Sequence, residues 1–230
     1  MIEIIALAPG VTLHCCRDTR FRQGALSLQC VRPMCAEETA ANALLPAVLL
    51  RGSRHYPDLR AITWQLDTLY GASISPLVRR IGDYQTTGFY CEFMEDRFAM
   101  DGDEIFRPMT EFLRELLLCP QMEDGGFRQE DTQSEKRNLI SAIEAQRSDK
   151  RAYAAGELLK LLCQADSFGI PRLGEAEAVE SLTHRSLYAH YETILRESPV
   201  TLFYVGSAEP ARAAEMLGGL FAGIPRSPVA

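Results

Sequence analysis

The side chains of this sequence that could bind a metal ion or act as a nucleophile are scattered rather than clustered. Its four histidines include one in the run His14-Cys15-Cys16 and the pair His184 and His190. In a strand, His14 and Cys15 point to opposite faces, so this run predicts core packing rather than a site. His184 and His190 are six residues apart, about 240° around a helix, and cannot chelate one ion together. Neither a Gly-x-Ser-x-Gly nor a His-Glu-x-x-His motif is present, so no standard hydrolase site is indicated.

The segment that most resembles a buried helix spans residues 36–53, with the sequence AEETAANALLPAVLLRGS. It is apolar from Ala40 to Leu50, follows two glutamates and stops at Arg51-Gly52, which predicts a buried helix with an acidic start. Pro46 removes a hydrogen bond inside this pattern, at a cost of about 3 kcal/mol. We therefore expect the helix to start late or to kink at Pro46.

Strands and further helices surround this segment. The helix after Asp58 is expected to bury one face, and the long helix that Phe127 opens has few apolar contacts. The face expected to be buried on the helix after Asp58 comprises Leu59, Ile62, Leu66 and Leu69, and Trp64 lies off this face. The apolar contacts of the helix that Phe127 opens are Leu139, Ile140 and Ile143. The predicted strands are Ile2–Ala8, Val11–Cys16, Ala25–Val31, Ser73–Val78, Tyr84–Phe93 and Thr201–Val205. The other predicted helices are Glu104–Leu118, Phe127 to Arg147, Ala152–Cys163, Thr183 to Arg196 and Pro210–Phe221.

Three motifs in this order carry a resemblance to a known family: Phe21-Arg-Gln, Leu44-Leu-Pro-Ala-Val-Leu-Leu-Arg-Gly-Ser53 and Leu69-Tyr-Gly-Ala72. Together they resemble the pitrilysin/insulinase/mitochondrial processing peptidase family of inverted zincins, and most of all a non-catalytic bacterial subgroup linked to elongation-factor-P modification. The resemblance implies an α+β fold, an antiparallel sheet with helices packed mainly on one face. It also implies that residues 1–230 form a single domain, the N-terminal half of a two-domain chain.

In that family the central helix carries His-x-x-Glu-His, whose histidines bind zinc while the glutamate takes a proton from the bound water. A later helix supplies a third ligand, a glutamate. Alignment of Arg51-Gly52-Ser53 with the family's Lys-Gly-Thr puts Ala43, Pro46 and Ala47 at the motif positions, and Ala142 at the third ligand. None of these side chains can bind metal or move a proton. The resemblance therefore implies no catalytic residue, no metal ligand and no cofactor.

The strand after the Leu-Tyr-Gly element is, in the family, an edge along which a substrate peptide adds as a further strand. That edge corresponds here to Ala72, Ser73, Ile74 and Ser75. Backbone pairing at a sheet edge needs no catalytic residue. We therefore predict that these four residues bind extended peptides.

Composition limits the partners and the compartment. The 230 residues are 47% hydrophobic, with a formal net charge of -7 and a pI near 5.2, which argues against nucleic acid or an anionic membrane as partner. The seven cysteines form no Cys-x-x-Cys pair, so they predict reduced core residues rather than disulfides. No segment resembles a signal peptide or a membrane span, and we expect a cytoplasmic protein.

Three hypotheses of function follow. The first is a catalytically inactive subunit that pairs with a zinc-bearing paralogue and completes a peptide-processing chamber as a heterodimer. The second is a peptide-binding or assembly module, such as a homodimer, that is unrelated to proteolysis. The third is an active zinc-dependent peptidase, which the missing ligands disfavour.

Overall fold

The computed structural model describes residues 2–228, and its main feature is a sheet of six strands. The strands of the chain are β1 (Ile2–Ala8), β2 (Val11–Arg17), β3 (Gln23–Pro33), β4 (Ser73–Ile81), β5 (Tyr84–Met94), β6 (Met122–Glu123), β7 (Gly126–Phe127) and β8 (Val200–Gly206). The main sheet has the order β1-β2-β8-β3-β5-β4, and β6 and β7 form a separate hairpin. All neighbours in the main sheet are antiparallel except β2 and β8. The six strands predicted from the sequence are confirmed.

Residues 2–228 also contain eight α-helices. They are α1 (Ala36–Leu49), α2 (Leu59–Thr68), α3 (Phe106–Leu118), α4 (Gln129–Ala145), α5 (Lys150–Leu162), α6 (Ala176–Ser181), α7 (His184–Glu197) and α8 (Pro210–Gly218). Helix α3 begins two residues later than predicted, because Asp96 Oδ1 accepts hydrogen bonds from the backbone N–H groups of Ile105 and Phe106. None of the helices in the described part of the chain is long and apolar enough to cross a membrane.

The helices cover one face of the sheet, as the predicted α+β fold requires. On that face Leu28, Phe89 and Leu202 are at most 1% exposed and join the core with side chains from α1 and α3. On the opposite face Phe203 is 41% exposed. The alternation along each strand explains this difference, since neighbouring residues point to opposite faces.

The run His14-Cys15-Cys16 divides between the two faces, as predicted. Cys15 is fully buried, whereas His14 lies on the uncovered face with its ring 4.8 Å from that of Phe203. The expectation of core packing is therefore correct for Cys15 and wrong for His14 and Cys16, which are half-buried. All seven cysteines are free thiols, and Cys15, Cys30 and Cys91 are the buried ones.

Two predicted apolar faces are less buried than expected. Helix α2 is capped by Asp58 as predicted, but Leu59 is 47% exposed and the buried stripe begins one turn later at Ile62. Trp64 is 73% exposed. The predicted apolar contacts of α4 are only partly buried. Instead α4 buries Lys136, whose ammonium group donates to the carbonyls of Glu180 and Leu182 at 2.7 and 2.8 Å.

The connection between β4 and β5 is shorter than predicted. Residues 79–81 extend β4, and Ile81 pairs with Tyr84 across a two-residue turn. Gly82 takes a φ of 58° in this turn, a conformation that favours glycine. Strand β4 therefore reaches farther along the outer edge of the sheet than the sequence indicated.

Candidate functional site

Helix α1 runs without interruption through Pro46, so the expected late start or kink at this residue is wrong. Proline has no N–H group, and the Asn42 carbonyl four residues earlier loses its helical partner. The Thr87 hydroxyl on β5 donates to that carbonyl at 2.6 Å. The freed backbone group is thus satisfied from the sheet, which removes part of the cost of proline in the helix.

A buried polar network fixes the same helix between β5 and α7. His190 Nε2 lies 2.7 Å from Asn42 Oδ1, and Asn42 Nδ2 donates to Gln85 Oε1 at 2.8 Å. Gln85 Nε2 in turn donates to the carbonyls of Thr39 and Arg172. Burial lowers the pKa of His190, so its ring is neutral at pH 7 and donates through Nε2. The signal that sequence analysis missed is Asn42, a polar residue inside an apolar helix.

The positions that would carry the family motif present only hydrocarbon. Ala43 and Ala47 lie four residues apart and line a cleft beside the sheet edge. Pro46 is directed elsewhere and lines a small apolar cavity with Leu28 and Phe89. None of the three side chains has a metal-binding atom.

Helix α4 reaches the cleft through Glu135, Asn138 and Leu139. Ala142, predicted at the third-ligand position, is exposed and lies outside the cleft lining. The turn of α4 that packs beside Ala43 lies one turn before Ala142. Sequence spacing could not reveal this, because the axial position of one helix against another is set by tertiary packing.

Glu135 is the carboxylate that the structure does place in the cleft, and both of its oxygens are engaged. Oε1 lies 3.4 Å from Arg51 Nη1, and Oε2 accepts from Asn138 Nδ2 at 3.1 Å. Arg51 also lies 3.4 Å from Asp131, which Arg128 holds by two hydrogen bonds. The negative charge of Glu135 is therefore balanced by a neighbouring arginine, in a pair with little exposure to solvent.

The residues of the cleft do not fit a catalytic zinc ion. A catalytic zinc site uses three protein ligands and keeps a fourth position for water. The cleft offers one carboxylate, Glu135, and Arg51 already neutralises it. Among residues 2–228, no group of three or more His, Cys, Asp or Glu side chains is arranged to hold a metal ion. The geometry thus gives no basis for the hypothesis of an active zinc peptidase.

Strand β4 forms one edge of the sheet, since β5 is its one neighbour. Across the two-residue turn, Ile81 and Tyr84 exchange backbone hydrogen bonds, and every second residue of β4 then turns its backbone groups outward. These residues include Ile74, Pro76 and Val78. Proline is tolerated at such an outward position because no ladder hydrogen bond is lost. The Val78 carbonyl accepts a hydrogen bond from Arg172 Nη1 at 2.6 Å, as expected for an outward group.

The four residues predicted to bind peptide differ in which of their backbone groups are free to pair with a peptide. Ala72 lies before β4, and its N–H is bonded to the carbonyls of Leu66 and Leu69. Ser73 and Ser75 direct their backbone groups towards β5. Ile74 is the member of the four whose N–H and C=O face outward.

The cleft has a volume of about 370 Å³ and lies between α1, α4 and the free edge of β4. Its lining includes Ala43, Leu44 and Ala47 of α1, Pro76–Arg79 of β4, Glu135, Asn138 and Leu139 of α4, and Arg172. The arrangement leaves outward backbone groups of β4 beside the cleft, and the cleft lining supplies no group for hydrolysis.

Comparison with known proteins supports the fold. No family model matches the chain. A curated relative from Bacillus subtilis strain 168, Probable inactive metalloprotease YmfF, is 28% identical over 200 residues, which are 87% of this chain and 47% of the relative. A solved conserved protein from Enterococcus faecalis V583 superposes with a TM-score of 0.91 at 25% identity, covering 100% of this chain and 54% of that chain.

The fold is also that of a peptidase M16 inactive domain from Pseudomonas fluorescens, with a TM-score of 0.76 at 17% identity. That match covers 100% of this chain and 52% of the other. The chain thus spans about half the length of the relatives it matches. The resemblance predicted from the three sequence motifs is confirmed: the chain is similar to an inactive metalloprotease and has the fold of an M16 peptidase domain.

Proposed function

We propose that this chain is a non-catalytic peptide-binding subunit that pairs with a zinc-bearing paralogue and completes a chamber for peptides. One observation carries the proposal: an open sheet edge lies beside a well-packed metal-site helix whose ligand positions are alanines. The architecture that would hold a peptide is kept, while the groups that would cleave it are absent from the cleft. Such a domain contributes binding surface to an assembly, and its partner contributes chemistry.

The peptide side of the proposal rests on backbone groups of β4. Ile74 offers an outward N–H and C=O, and Pro76 offers an outward C=O. The α1 residues that line the cleft beside this edge are Ala43, Leu44 and Ala47, all of them apolar. An added strand would therefore meet an apolar surface of α1 at this point.

The partner side rests on apolar surface that the described chain leaves open. No side chain of α5 is buried, and Leu158, Leu161 and Leu162 are 55%, 67% and 73% exposed. They share one helix face, since they are three and four residues apart. Contiguous exposed apolar patches of this kind commonly mark protein interfaces. We assign the α5 leucine face, defined as these three residues, to assembly.

The second candidate is a homodimer unrelated to proteolysis, and the same face favours it. A leucine stripe can meet its own copy across a two-fold axis, because such an interface uses one patch twice. The two candidates agree on peptide binding and on the cytoplasmic compartment, and they differ in the partner. Identification of the partner therefore separates them.

The test is purification of the full-length protein from its native cells under mild conditions, followed by mass spectrometry. A one-to-one complex with a paralogue that carries intact His-x-x-Glu-His supports the first candidate. Recovery of a dimer of the protein alone supports the second, and recovery of the monomer alone contradicts both assemblies. The double variant Leu161→Glu/Leu162→Glu should lose the complex. Trp64→Glu, a change at an exposed apolar residue on α2, is the matched control and should keep it.

A further inference from the structure

We propose that the cleft beneath β4 is a side-chain pocket that selects a peptide carrying a large aromatic residue. The inference rests on the proposed function, because it assumes that an extended peptide pairs with β4. Where the family motif places two imidazoles and a metal ion, this chain places the methyl groups of Ala43 and Ala47. The space of about 370 Å³ beside them is open to the sheet edge.

The alternation of side chains along an added strand determines which peptide residues point towards the pocket. Side chains of a strand alternate between the two faces of its sheet, so every second residue of the peptide points to the helix side. The helix side of β4 carries Ile74, Pro76 and Val78, and the last two line the cleft. A peptide residue beside Pro76 therefore directs its side chain towards Ala43 and Ala47.

The size and surface of the pocket fit an aromatic ring. Its volume corresponds to roughly a dozen water molecules. Leu44 and Leu139 supply apolar lining in addition to the two alanines. An aromatic side chain buries more apolar area than any aliphatic one, and it would displace water from this surface.

The charges around the pocket disfavour a basic side chain and suit an aromatic one. Glu135 is already neutralised by Arg51, so no free negative charge receives a lysine. Arg172 borders the opening. Arg172 remains on the Val78 carbonyl if the peptide pairs at Ile74 and Pro76, and its guanidinium can then lie over the ring.

The test uses the full chain and three blocked seven-residue peptides that differ in the central residue, which is Phe, Ala or Lys. Their dissociation constants are measured by isothermal titration calorimetry in the presence of EDTA. The Phe peptide should bind roughly ten- to hundredfold more tightly than the Ala peptide, as expected for burial of one aromatic side chain. The Lys peptide should bind no more tightly than the Ala peptide.

A pocket-filling variant tests whether this cleft is the source of the preference for the Phe peptide. Ala47→Phe should bring the affinity for the Phe peptide down to that for the Ala peptide, without weakening the latter. Ala142→Phe places the same ring at an exposed position of α4 and should keep the preference. Circular dichroism and thermal unfolding verify that both variants fold, and the three peptides on the unmodified protein test the pocket without any variant.

The outcomes separate the two proposals. Equal binding of all three peptides leaves the proposed peptide-binding function standing and overturns the aromatic pocket. Binding of none of them overturns both. An aromatic preference that survives in a folded Ala47→Phe protein places the selective pocket elsewhere and overturns this assignment.

Discussion

The substitution Thr87→Val tests how a proline is tolerated in the middle of α1. Valine has nearly the shape of threonine but cannot donate a hydrogen bond. Thr87 is 2% exposed, and its hydroxyl donates to the Asn42 carbonyl that Pro46 leaves without a helical partner. Loss of this donor leaves a buried carbonyl unsatisfied, which costs about 1–3 kcal/mol. We expect the free energy of unfolding to fall by that amount.

The neighbouring residue supplies a matched control. Thr86 is 3% exposed, and within residues 2–228 its hydroxyl is buried without a hydrogen-bond partner. Thr86→Val removes an unsatisfied polar group, so we expect a change within about 0.5 kcal/mol or a gain in stability. The same chemical change should therefore destabilise the protein at position 87 and not at position 86.

A double-mutant cycle with Pro46→Ala identifies the cause. Alanine at this position restores the N–H group that the Asn42 carbonyl would accept in an ordinary helix. Thr87→Val should then cost less in the Pro46→Ala background, by about 1 kcal/mol. The assay is urea unfolding followed by circular dichroism at about 222 nm, with all four proteins at one pH. Equal costs of Thr87→Val in the two backgrounds would refute the compensation.

Three further predictions concern pH, packing and the surface. Because burial holds the pKa of His190 below 6.5 in the folded state, the unfolded state takes up the proton first, and stability should fall as the pH drops below about 6.5. His190→Gln should lose part of this dependence, measured as the difference in urea midpoint between pH ~7.5 and ~5.5; an unchanged difference would contradict it. Gly206→Ala should lower the unfolding free energy by about 1–3 kcal/mol, since the new methyl would meet Glu95 and the Tyr204 hydroxyl; a neutral result in the same urea assay would contradict this packing. Leu162→Glu should leave thermal stability within the error of the unmodified protein, because this side chain is 73% exposed, and a large loss would mean that α5 is packed differently.

Local patterns predicted the elements well because each is encoded by neighbouring residues. Alternation in β2 and β3 and the apolar face of α3 follow from periods of two and 3.6 residues. The Asp58 cap is likewise a local signal, and the structure confirms it. The missing ligands at Ala43 and Ala47 could also be read directly, since no histidine lies anywhere near them in the sequence.

The parts that could not be predicted depend on residues distant in sequence. The hydroxyl that compensates Pro46 belongs to Thr87, and the network around Asn42 ends at His190. The position of Ala142 outside the cleft lining has the same origin, because residue spacing along α4 does not show which turn of the helix faces α1. Glu135 occupies the cleft instead, and its balance by Arg51 became visible only in three dimensions.

The most direct test of peptide binding without zinc is an NMR titration of the metal-free protein with an extended peptide, in the presence of EDTA. We predict that the amide signal of Ile74 shifts on binding, together with those of residues that line the cleft, such as Ala47. The outward N–H of Ile74 would gain a partner, whereas the Ala72 N–H is already bonded within the chain. Unchanged amide signals for Ser73, Ile74 and Ser75 at saturating peptide, or binding that appears only when zinc is added, would contradict the account.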